Sequence, residues 1–143
     1  MGLLNRAALR KLSDMRISDA RVLLKNKQYC GAYYLAGYAV ECALKARIAQ
    51  NTRKYDFPDK QLVIDSYTHN LEALVKLAGL NVTLERDMKA DSTLATYWSV
   101  VKDWSEENRY TRYNQSKTKK AANDLIKAIT DSSYGILQWI EKN

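Results

Sequence analysis

The sequence predicts an all-α protein: an up-and-down helical bundle of four main helices plus a short extra helix. Three observations lead there. The chain has one proline and five glycines in 143 residues, too few breakers for a loop-rich or all-β fold. Apolar residues recur at three- and four-residue spacing in five segments, and none of the remaining stretches reads convincingly as a strand. At 46 % apolar content the chain can bury a proper core as a single domain, 1–143. No internal repeat, low-complexity tract or long linker divides it.

The first helix is expected over residues 3–27. Leu4, Ala8, Leu12 and Met15, then Ile17, Ala20 and Leu24, lie at helical spacing, with a break near Ser13 where Ser or Asp could restart the helix as a cap. Asn26 to Gln28 reads as a short antiparallel connection. The helix from Tyr29 to Gln50 is central. At about 100° per residue, Ala32, Tyr33, Ala36, Ala39, Val40, Ala43 and Leu44 share one broad face rich in small residues. Tyr34, Tyr38, Glu41 and Lys45 form a separate polar stripe. A carboxylate at the edge of a core needs a cation. Lys45 stands four residues on in the favourable order, and an arginine from elsewhere would offer a better fork.

Residues 51–67, with Pro58, read as a long loop. Thr68 is the expected N-cap of a short helix carrying Leu71, Leu74, Val75 and Ala78 on one face, stopped by Gly79. Residues 80–90 are ambiguous, with room for a helical turn at Leu84 to Lys89. Asp91 or Ser92 then caps a helix to about Asn108, with Leu94, Tyr97, Trp98, Val100, Val101 and Trp104 on one side as the aromatic wall of the core. After the polar connection NRYTRYNQS, the last helix is expected from Lys117 to Glu141. Its buried face would hold Ala121, Leu125, Ile129, Ile136 and Ile140, and Gly135 is its weak point.

The net charge is +7 and the pI about 9.4, which fits an anionic partner. The excess is uneven. Residues 1–27 hold seven Lys or Arg against two Asp, and residues 108–120 hold five against no acid. Cys30 and Cys42 are twelve apart on one predicted helix, about 18 Å by helical rise, beyond disulfide reach. Free thiols suit a reducing cytosol. No window of 18 apolar residues and no apolar signal core is present, since Arg6, Arg10 and Lys11 interrupt the start. A cytoplasmic protein without a membrane role is expected.

His69 is the only histidine. The chain has no CxxC, HExxH, GxGxxG or GxxxxGK[ST] pattern, so no metal site and no cofactor are expected. At the start of a short helix, His69 most simply bonds to nearby backbone or packs under the long loop. The run Arg109, Tyr110, Thr111, Arg112, Tyr113, followed by Lys117, Lys119 and Lys120, interleaves cations with aromatic faces as a phosphate-and-base surface does. Dipole complementation near a helix C-terminus accounts for one such cation, not for five in thirteen residues.

Three segments in order, AYYLAGYAVECALKA (32–46), THNLEALVKLAG (68–79) and WSEENRY (104–110), ahead of a long final helix, resemble a HEPN domain. The resemblance spans roughly residues 10–141. It implies a bundle of four main helices that dimerises, in bacterial and archaeal proteins often encoded beside a small nucleotidyltransferase as a toxin–antitoxin-like pair. Many such proteins are metal-independent RNases in which an arginine is followed, after four to six residues, by a histidine. That arginine falls at Arg109, or alternatively Arg112. The histidine would then fall at Asn114, Gln115 or Ser116, or at Lys117, Thr118 or Lys119, and none is a histidine. RNA cleavage through the 2′-hydroxyl needs a group near neutral pKa. Tyr113, with an unperturbed pKa of about 10, substitutes poorly, and losing acid–base help costs on the order of 10² to 10⁴ in rate.

The resemblance also implies a polar centre in which Glu41 pairs with Arg109, with Tyr110, Tyr34 and Tyr38 nearby. The expected function is therefore a binding module for a nucleotide or RNA phosphate, dimeric and partnered with a nucleotidyltransferase. One alternative is an RNA endonuclease toxin using Arg109 or Arg112 with a substitute acid–base group, His69 among the candidates. A second is a purely structural partner subunit whose basic patches meet an acidic protein.

Overall fold

The structure, a computed structural model, describes residues 5–54, 60–105 and 115–143. Every regular element among them is helical: α1 (Arg6–Lys25), α2 (Tyr29–Lys54), α3 (Lys60–Asp65), α4 (Leu71–Leu77), α5 (Asn81–Ala90), α6 (Ser92–Lys102), α7 (Gln115–Thr130) and α8 (Ile136–Lys142). No helix among the described residues is long and apolar enough to cross a membrane.

α1 starts at Asn5, whose Oδ1 accepts from the Ala8 amide at 2.8 Å, and runs unbroken past Ser13. The expected break does not occur, because the Ser13 hydroxyl turns inward and donates to the Ala39 carbonyl of α2 at 2.7 Å. A buried hydroxyl thus serves as a rivet between helices instead of a cap. Its neighbour Met15 is 48 % exposed; the buried line runs through Leu9, Ser13 and Ala20, so Met15 leaves the core face. The turn closes with Lys27 at φ 62°, where the Lys27 amide bonds to Leu24 O and the Gln28 amide to Leu23 O. A non-glycine residue in the left-handed region carries strain that these two bonds offset. α2 then packs antiparallel on α1, Ser13 facing Ala39 and Leu23 facing Gly31.

α2 is the axis of the molecule. Ala32, Ala36, Ala39, Val40 and Leu44 are each 0 % exposed, and α1, α4, α7 and α8 all pack against it. Five further expectations change. α2 continues to Lys54 and α3 occupies Lys60–Asp65, so the 51–67 loop is mostly helical; residues 55–59 lie outside the described residues. The N-cap of α4 is Asn70, accepting from the Ala73 amide at 3.0 Å, while Thr68 accepts from the Asn70 amide at 3.1 Å. The cap shifted by two because Asn70 is the residue whose side chain reaches the first turn. α6 ends at Lys102, short of Asn108. The last helix is two helices: Asp131 captures the Tyr134 and Gly135 amides, and Gly135 becomes the N-cap of α8. In α7 the buried alanine is Ala122, not Ala121, which is exposed.

Other sequence signals read through directly. Gly79, at φ 75°, ends α4 with the Leu80 amide bonded to Val75 O, the left-handed stop that glycine favours. Asp91 caps α6 through the Thr93 and Leu94 amides. Leu94, Trp98, Val101 and Trp104 join one core with Leu125, Ile129, Ile136 and Ile140. The ambiguous 80–90 stretch is α5, which is tied to α8 by Trp139 Nε1 donating to Asp87 at 2.9 Å.

Candidate functional site

Glu41 is the buried acid of the described residues. It sits on α2 between Val40 and Cys42 and is 1 % exposed. Its two oxygens have different partners: Oε2 accepts from Lys45 Nζ at 3.2 Å, one turn on, and Oε1 meets His69 Nδ1 at 2.7 Å. The lysine follows from helical spacing, whereas the histidine arrives from the stretch just before α4, 28 residues away in sequence. That stretch docks because Leu71 and Leu74, both essentially inaccessible, anchor α4 to the α2 core. The side chains of His69 and Lys45 remain 46 % and 22 % exposed against 2 % for Glu41. The carboxylate is therefore the buried end of a polar thread leading to solvent, with each of its oxygens held by one cationic or hydrogen-bonding group.

The rest of the stripe lies along the same edge. Tyr34 and Tyr38 are stacked, ring centroids 6.2 Å apart, and Tyr34 also lies 6.2 Å from the Trp104 ring. Trp104 can reach that position because residue 37 is glycine; a Cβ there would fall on the indole. The indole Nε1 is buried with no acceptor among the described residues. Burial, with the charge of Glu41 among lesser causes, raises the Tyr38 pKa. The same pair of effects pushes the Cys42 thiol up to about 11. Both groups therefore stay protonated at neutral pH, and Cys42 is a packing residue, not a nucleophile.

Of the residues singled out in the sequence, the fold gathers Tyr34, Tyr38, Glu41, Lys45 and His69. Arg109, Tyr110, Arg112 and Tyr113 lie outside the described residues, and with them the expected Glu41–Arg109 pair. Lys117, Lys119 and Lys120 are exposed at the start of α7, where Lys120 pairs with Asp124 at 2.6 Å. Among the described residues no cluster of three His, Cys, Asp or Glu could hold a metal ion. The contact that sequence reading missed is Glu41–His69. A lone histidine at a helix start carries no periodic signal for its distant partner, and only the docking of α4 on α2 supplies one.

Chemically, a buried carboxylate on Nδ1 fixes the orientation of an imidazole, as in proton-transfer and anion-binding centres. The stacked tyrosines offer an aromatic face with hydroxyls beside it. No family model, characterised protein or solved structure matches the chain.

Proposed function

We propose that this chain is a HEPN-type module: an up-and-down bundle of four main helices that dimerises and works in the cytoplasm beside a small nucleotidyltransferase in a toxin–antitoxin-like pair. It binds a nucleotide or RNA phosphate through Arg109, Tyr110, Arg112, Tyr113, Lys117, Lys119 and Lys120. One observation carries the reading. The three segments behind the resemblance converge at one place, because Glu41 and Tyr34 of the first meet His69 of the second and Trp104 of the third. Segments far apart in sequence that share one polar centre are what a common site requires. The cationic stretch begins five residues beyond Trp104 in the sequence.

The test is a salt titration of RNA and ATP binding by the full chain. Three to five phosphate contacts on single-stranded RNA give a slope of about −2 to −3.5 in log affinity against log salt, at about −0.7 per contact. Alanine at Arg109 and Arg112 together flattens that slope. Absence of binding at low salt removes the reading.

The 2.7 Å contact between His69 and Glu41 favours one second reading, an RNA endonuclease in which His69 replaces the missing downstream histidine. The same RNA samples distinguish the two. A binding module leaves the RNA intact, whereas an endonuclease cuts it without added metal, and His69→Gln and Arg109→Ala each abolish the cut.

A further inference from the structure

Arg6 and Arg10, in the basic surplus at the start of the chain, are not partners of Glu41. Arg6 and Arg10, one turn apart on α1, and Arg47 on α2 line a small cleft of about 40 Å³ that also touches the end of α8, with Asp14, Gln50 and Glu141 in its walls. At 100° per residue, the α2 positions in this cleft centre about 160° around the helix from the Tyr34–Lys45 stripe. The two regions therefore lie on opposite sides of α2.

The guanidiniums here are poorly matched by the protein's own acceptors. Arg47 Nε is buried with no acceptor among the described residues. Arg10 reaches Glu141 only at 4.0 Å, with both side chains about half exposed. Neither Arg6 nor Arg47 makes an ion pair among the described residues. A buried N–H without an acceptor is costly, and three planar forks from two helices turned toward one cleft are suited to a group with several oxygens.

We propose that this cleft binds one phosphate-type oxyanion, held by the Arg47 and Arg10 forks with Arg6 at the mouth. Tetrahedral oxygens can meet forks from α1 and α2 at once, which a planar carboxylate cannot do as well. The cleft opens to solvent beside the half-exposed Arg10 and Glu141, so the ligand is free phosphate or a terminal phosphate whose remainder lies outside. Three arginines against Asp14 and Glu141 leave a net charge of one positive, by subtraction of two from three. Glu141 is thus a built-in competitor for Arg10. The proposal does not depend on the HEPN reading, since it uses neither the polar centre nor the 108–120 stretch.

The experiment is calorimetric titration of the full chain with inorganic phosphate, at ionic strength held constant with chloride. Wild type binds one equivalent. Arg47→Gln and Arg47→Lys each weaken binding at least tenfold, the lysine because a point charge cannot fork. Glu141→Gln tightens it severalfold by releasing Arg10. The half-exposed Arg10→Gln gives the same loss should Arg47 variants fold poorly. Parallel titrations of wild type and Arg47→Gln with adenosine monophosphate and a short 5′-phosphorylated RNA identify the source: binding tighter than inorganic phosphate that Arg47→Gln removes marks a nucleotide or chain end, and an Arg47-dependent component no tighter than inorganic phosphate marks the free anion. No phosphate binding by wild type, or binding unchanged in both Arg47→Gln and Arg10→Gln, overturns the proposal.

Discussion

Glu41 shows how differently the two ends of one ion pair respond to loss. The acid is buried, while His69 and Lys45 can turn to water. Replacing the acid with a neutral isostere leaves two solvated partners, at a cost of about 1 kcal/mol, the net worth of a typical hydrogen bond. Removing both partners strands a carboxylate in the core, at a cost of about 3 to 5 kcal/mol. Urea unfolding should therefore rank Lys45→Met/His69→Ala well below Glu41→Gln in stability. Equal midpoints would mean that Glu41 gains nothing from its partners. The lysine follows from the i, i+4 spacing, but the histidine comes from a separate element that no local pattern connects to Glu41.

Among the elements, α2 does the organising, because small residues let its neighbours approach closely. Gly37 is the sharpest case, as a Cβ there would fall within the Trp104 ring, which cannot move without leaving the core. Gly37→Ala should cost about 1 to 3 kcal/mol, the usual range for overpacking. It should also change the near-ultraviolet dichroism of the tryptophans as the Tyr34–Trp104 contact separates. Gly31→Ala is the control. Its Cβ would meet only the end of the Leu23 side chain at 3.2 Å, so a rotamer adjustment absorbs it. A wild-type dichroism spectrum for Gly37→Ala would show that the ring is not seated on α2.

Across the whole molecule, two separate groups are expected to contribute to the pH dependence of stability. Trp139 donates a hydrogen bond to Asp87, and Arg86 lies beside it, so this carboxyl titrates below its ordinary value of 3.8. A group with a lowered folded pKa contributes stability above its unfolded pKa and loses it as pH falls through the folded one. Cys42 behaves in the opposite sense. Its thiol is raised from 9.0 to about 11 by burial, so its contribution is complete below 9.0 and lost as pH rises toward about 11. Tyr38, also raised, adds to the same alkaline limb. Urea midpoints measured across pH should form a plateau with an acid limb that Asp87→Asn flattens and an alkaline limb that Cys42→Ala flattens. Limbs unchanged in both variants would assign the pH dependence to other groups.

Composition and periodicity determined the all-α class, the central place of α2, the Gly79 stop and a cap at Asp91 or Ser92. Each depends on neighbours a few residues apart, where spacing and backbone propensity act directly. Tertiary structure decided what long-range packing controls: Ser13 as an inward hydrogen-bond donor in an unbroken α1, the split of the last helix at Gly135, and the meeting of His69 with Glu41. A polar side chain's partner depends on which element docks beside it, and that docking is set by apolar surfaces elsewhere in the chain, so its own sequence neighbourhood carries no record of it.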